Sequence, residues 1–259
     1  MKTKSQIFDF DRFVNCLKRD LTLNGRSWLL KALMMLGVTT ILLVLTTGVT
    51  LDSEPSFVVF RFCGTVFCAL GASLFMENMT SNGLRLNTLM SPASTLEKFL
   101  SRWVICVFGT TIAFLICFAL ADLLRVSFYN IYYHNVFDGH YLDNIRYLGP
   151  IEMMKQTEHW YYLWGSIATV QAIFVLGSTV APKNAFLKTF GTLLVFMVIF
   201  VCVIGYVYTV LGPKGGYIVD NTSEKLLDTL PKIVPICVTV FCYITAYFRM
   251  KESEIINRL

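Results

Sequence analysis

Charge is scarce in this chain. Asp, Glu, Lys and Arg make up 15% of its 259 residues, against 55% hydrophobic ones, where a water-soluble domain carries about 25% charged residues. That deficit, with a mean hydropathy of +0.60, excludes an ordinary soluble fold. Catalytic motifs are missing too. No G-x-x-x-x-G-K-[ST] run occurs, so the chain cannot by itself cradle nucleotide phosphates, and neither H-E-x-x-H nor G-x-S-x-G is present. Only three histidines occur, His134, His140 and His159. With Asp138 and Asp143 they match no familiar metal-ligand spacing and read as solvated loop residues. No catalytic residue, cofactor or metal site is assigned, and the chain reads as non-enzymatic.

What is abundant is apolar sequence, gathered into runs near the roughly 20 residues that cross a bilayer. They cover residues 28–51, 57–76, 103–123, 161–181, 190–211 and 232–248. The prediction is an all-α fold, a polytopic membrane bundle of six transmembrane helices forming one domain over residues 1–259. Pro235 predicts a kink in the sixth helix. The first run is too long for a signal-peptide core and lacks a small-residue cleavage site.

Fifteen of the 22 Lys and Arg residues fall on the side of the N-terminus, six on the other, and Arg61 lies inside the second run. This asymmetry places both termini in the cytoplasm of a cell membrane. The net charge of +5 is then a topology signal and not an affinity for nucleic acid. Seven of the eight cysteines lie in the runs and Cys16 lies on the cytoplasmic side, so no exterior disulfide framework is available. The last three runs hold no Asp, Glu or Arg in their interiors. Ion- and proton-coupled carriers place ionisable groups or broken helices near the midplane. Any transport must therefore draw its energy from another subunit.

The connectors carry the remaining signals. Residues 1–27 contain an amphipathic stretch, 5–23, in which Ile7, Phe10, Phe13, Val14, Leu17 and Leu21 recur at helical spacing. Such a helix lies in the membrane interface or packs on a cytoplasmic partner, and Asn24-Gly25 is expected to stop it. Residues 80–102 form the largest cytoplasmic connector. Ser81, Asn82 and Gly83 are turn signals. Ser94 and Glu97 have the S-x-x-E spacing of a capping box, and Leu96, Phe99, Leu100 and Trp103 share one face with Lys98 and Arg102 off it. The plainer reading is a solvated loop with a good N-cap. Glu77, just before it, could meet Arg85 or Lys98, and Arg61 could snorkel outward or pair with Asp52 or Glu54. Residues 124–160 read as an aromatic-rich exterior loop resting on the membrane face, and 223–230 as a short exterior helix.

Six spans with both termini inside, a helix before the first span, a capped helix between the second and third and a short exterior helix before the last together resemble the permease subunits of ABC-2-type transporters. The strings SPASTLEKFLSRW and AYFRMKESEI look like the connector and tail of such bacterial subunits. The long exterior connector between the third and fourth spans departs from the simplest plan of that family. The resemblance implies an exporter or membrane-lipid-related permease, working as a homodimer or as a heterodimer with a second permease subunit, driven by a separate cytoplasmic ATP-binding subunit. It assigns ATPase contact to Arg85, Ser94, Glu97, Lys98 and Arg102, and anchoring among membrane lipids to Phe10, Phe13 and Leu17. Two other classes stay open: a non-transporting structural or regulatory membrane subunit, and a membrane-embedded lipid-modifying enzyme that would use the exterior histidines.

Overall fold

Long apolar segments satisfy their backbone hydrogen bonds internally only as helices when water is excluded, and the computed structural model is helical throughout, with no strand among the described residues. It describes residues 8–49, 54–80, 82–90, 92–136, 147–156, 160–211 and 221–256. The helices are α1 (Phe10–Val49), α2 (Glu54–Ser73), α3 (Asn82–Leu89), α4 (Thr95–Trp103), α5 (Thr110–Val136), α6 (Pro150–Gln156), α7 (Trp160–Val180), α8 (Ala185–Leu211) and α9 (Asn221–Ile256). A 3₁₀ turn, Leu74–Met79, extends α2, and a π-helical turn, Val104–Gly109, joins α4 to α5. Six of the helical runs are long and apolar enough to span a bilayer. The chain is a multi-pass membrane protein.

Several expected boundaries move. Asn24-Gly25 does not end a helix: α1 passes through both residues unbroken for 40 residues. The separate elbow is absent, because contacts from α4 hold the N-terminal half of α1 in line with its span. Phe10, Phe13 and Leu17, expected in the membrane interface, lie in the N-terminal part of α1, Phe10 exposed and Phe13 and Leu17 half-buried. Residues 82–89 are helical where turn signals predicted a break. In the stretch read as an exterior loop, α5 continues to Val136 and α6 occupies Pro150–Gln156. The short helix expected at 223–230 is the beginning of α9, which also runs through Pro235 without interruption.

Two apolar clusters hold the bundle. One, toward the end opposite the N-terminus, packs Phe60 against Phe114 and Phe118, with ring centroids 5.5 and 4.8 Å away, and buries Leu43 and Met153 around them. The other joins α2, α7 and α9 through Phe75, Met76, Val175, Ala246 and Met250. α8 is different. It turns back from α7 through Asn184, whose φ of 59° is a left-handed conformation that asparagine tolerates better than most residues. Beyond its first turns its apolar side chains point outward all round, from Leu194 to Val201.

Two glycines permit the closest helix approaches. A Cβ built on Gly71 collides with the side chain of Thr110, and one on Gly177 with that of Thr189. Small residues at such crossings let backbones come together without lipid between them. Gly177→Ala is expected to destabilise the protein by about 1–3 kcal/mol through overpacking. Gly165→Ala, on the same helix but with nothing within 4 Å of the new methyl, should be neutral or slightly stabilising. Thermal unfolding of the two variants in one detergent separates them, and equal midpoints would remove Gly177 as a packing contact.

Candidate functional site

The connector around α4 is where sequence and structure agree most closely in chemistry and differ most in orientation. Ser94 is extended at the N-cap, and its side chain accepts from the Glu97 N–H at 3.2 Å. Glu97 Oε2 accepts from the Ser94 N–H at 2.8 Å, so the predicted capping box is complete. Nine residues is short for a helix in isolation. α4 persists because it is capped, is continuous with the third span over Thr95–Tyr132, and is clamped on two sides.

On one side its aromatic face meets the bundle. Phe99 stacks edge-on against Phe75 and Tyr247, and Trp103 against Tyr243 and Phe108, with centroids 5.1–5.6 Å apart. On the other side its charged face meets α1. Glu97 Oε1 accepts from the Asp9 N–H at 2.7 Å and lies 3.2 Å from Arg12 Nη2. The same carboxylate therefore sits at the N-termini of two helices, where both macrodipoles favour negative charge. Asp9 also caps α1 through the Asp11 N–H. Two turns on, Asp20 accepts from Arg19 Nε and Nη2 and lies 4.0 Å from Arg102 Nε. Arg102 donates to Thr88 Oγ1 of α3 at 3.1 Å and reaches Met76 Sδ. Glu97 is 0%, Lys98 2% and Arg102 4% exposed.

That burial corrects the surface-contact assignment. Glu97, Lys98 and Arg102 are turned into the protein, and in this conformation a partner meets none of them. The physical reason is that the first turns of α1 carry Arg12 and Asp20 toward α4, and opposite charges pair across the two helices, Arg12 with Glu97 and Asp20 with Arg102. Ser94 is the cap. Arg85 is half-buried and donates to the Met79 carbonyl at 3.1 Å. Glu77 pairs with Lys31 at 3.1 Å and not with Arg85 or Lys98. Lys31 also lies over the Trp28 ring, a pairing suited to the bilayer edge. What remains open beside α4 is a cavity of about 380 Å³ between α1 and the α3–α4 connection, lined by Arg12, Asn15, Cys16, Arg19, Met90, Pro92 and Ala93.

Two polar sites inside the bundle were not singled out in the sequence. Where the π-turn loosens the third span, Thr110 and Thr111 hydroxyls donate back to Cys106 and Val107 carbonyls. Gln171 of α7 donates to Val107 O at 3.4 Å and to Thr111 Oγ1 at 3.2 Å. A π-turn holds an extra residue and leaves such carbonyls in need of donors. Toward the other end, Asp122 and Arg125 form a fully buried pair at 2.7 Å. Asp122 accepts from the Leu148 N–H at 2.6 Å, and Arg125 donates to Thr47 Oγ1 and Ser56 Oγ. The i,i+3 spacing of Asp122 and Arg125 was the available signal, and it is outweighed when Arg125 is assigned to a loop.

Among the described residues no group of three His, Cys, Asp or Glu side chains could hold a metal ion. His140 and His159 lie outside the described residues. Arg61 is exposed, and its suggested partner Asp52 is outside them as well. No protein-family model matches this chain, and no match emerges among curated proteins or solved structures.

Proposed function

We propose that this chain is the permease subunit of an ABC-2-type transport assembly, an exporter in the cell membrane with both termini cytoplasmic and a separate ATP-binding subunit as its motor. The observation that carries the reading is the uninterrupted helical run from α4 through the third span. A displacement applied to α4 reaches the membrane without a flexible loop to absorb it. In this reading Glu97 and Arg102 hold α4 against α1, and the partner engages the exposed side chains beside it, Leu86, Met90 and Pro92, together with Arg85. Pairing with a second permease subunit, identical or not, is supported by the outward-facing apolar sides of α8.

Affinity purification of the tagged chain from its host in mild detergent, with mass spectrometry of what stays bound, tests this. A stoichiometric P-loop ATPase is the expected result. Its reproducible absence, with another membrane protein in its place, overturns the permease reading in favour of a non-transporting structural or regulatory subunit. The burial of the charged face of α4 is the observation that favours that second reading.

A further inference from the structure

We infer that the N-terminal half of α1, residues 10–23, is a strap hinged at Asn24-Gly25, which covers the charged face of α4 in this structure and swings onto the membrane surface to uncover it. The inference deepens the reading of α4 as the coupling element, whose access the strap controls.

Three observations converge. First, the strap meets α4 through ion pairs and charge-assisted hydrogen bonds, from Asp9 and Arg12 to Glu97 and from Asp20 to Arg102. Buried ion pairs return little net stability, because desolvation offsets most of the Coulombic attraction. The covered state is thus close in free energy to one in which those charges are solvated or meet a partner. Second, the strap leaves apolar surface uncovered. Phe10 is 67% and Leu21 47% exposed, both on the stripe that recurs at helical spacing. In the docked position Phe10 and Leu21 face outward, whereas laid along the interface the stripe would be buried and Lys18 and Arg19 would face the headgroups. Third, the hinge is locally weak, and it lies where α1 enters its apolar run. Glycine costs about 1 kcal/mol in a helix relative to alanine, Gly25 has nothing within 4 Å of its Cβ position, and a cavity of about 20 Å³ lies beneath Asn24 and Asp20. The two states therefore differ in what they bury, charge in one and the apolar stripe in the other, which is what a bistable element requires.

The test uses the full chain in lipid nanodiscs, with the native cysteines replaced and a single cysteine introduced by Ser101→Cys. Ser101 shares the covered face with Glu97 and Arg102 and is fully buried. The rate of reaction with a membrane-impermeant maleimide reads uncovering directly. In neutral phosphatidylcholine the reaction should be slow. In discs containing anionic phosphatidylglycerol it should accelerate by about tenfold, since the freed strap turns Lys18 and Arg19 toward that surface while its apolar stripe inserts. Adding Asn24→Ala and Gly25→Ala, which stiffens the hinge, should abolish the acceleration. Equal rates in the two lipids, or an acceleration that survives the stiffened hinge, would overturn the proposal. Glu97→Gln should raise the rate in neutral discs, and an unchanged rate there counts against it equally. No ATPase takes part, so loss of the permease reading leaves this result standing, and a failed strap leaves the purification experiment unaffected.

Discussion

Replacing Arg125 with methionine is expected to destabilise the bundle by about 3–5 kcal/mol, the cost of leaving one buried charge without its partner. Asp122 would keep the Leu148 N–H but lose the guanidinium at 2.7 Å. Thr47 and Ser56 would lose the donor that joins α1 and α2 to α5. Around this pair there is little room for water to compensate: Asp122 is fully buried and Arg125 nearly so. The double variant Asp122→Asn with Arg125→Met removes both charges while keeping an oxygen for Leu148, and should recover most of the loss. Denaturant titration of the purified protein in detergent measures both. A single variant as stable as the parent would show that the pair contributes no more than an exposed one, and a double variant no better than the single would assign the loss to the hydrogen bonds to Thr47 and Ser56.

Glu97→Ala has the second large effect, and it is local. One carboxylate satisfies the Asp9 N–H, the Ser94 N–H and Arg12, so its removal uncaps two helices and leaves a guanidinium facing an apolar methyl. Backbone hydrogen exchange in the first half of α1 and in α4 should rise by more than about tenfold, which corresponds to over 1.4 kcal/mol of lost local protection. Exchange in α2 and α7, which do not contact Glu97 through any of these bonds, should stay as it was. Ser94→Ala removes only the reciprocal half of the capping box and should cost about 1 kcal/mol, confined to α4. A uniform rise over the whole bundle would mean that Glu97 supports global stability and not this one junction.

The two variants separate the roles of the two polar sites. The Asp122–Arg125 pair ties the middle of α5 to α1, to α2 and to the segment before α6. The Glu97 junction ties α4 to the first turns of α1, at the other end of that helix.

The amino-acid sequence by itself determined the class, the number of spans and the α4 cap. Each rests on interactions within a few residues or on bulk transfer energy. Twenty consecutive apolar residues have one stable outcome in lipid, and the S-x-x-E bonds close within a single helical turn. Tertiary structure decided everything that depended on a partner distant in the chain. Asn24-Gly25 reads as a helix stop because its local preference is weak, yet α1 continues because Asp9, Arg12 and Asp20, spread over about three turns before it, are held by Glu97 and Arg102, some 80 to 90 residues away in sequence. The helical wheel of α4 separated a charged face from an apolar one correctly, but which face would be solvated depends on what stands opposite. A second charged helix stood there, and electrostatic pairing turned the charges of Glu97 and Arg102 inward. Arg125 reads as a loop residue for the same reason: Asp122 stands three residues before it, but nothing near it in the chain announces that Thr47 and Ser56 also converge on its guanidinium and make its burial affordable.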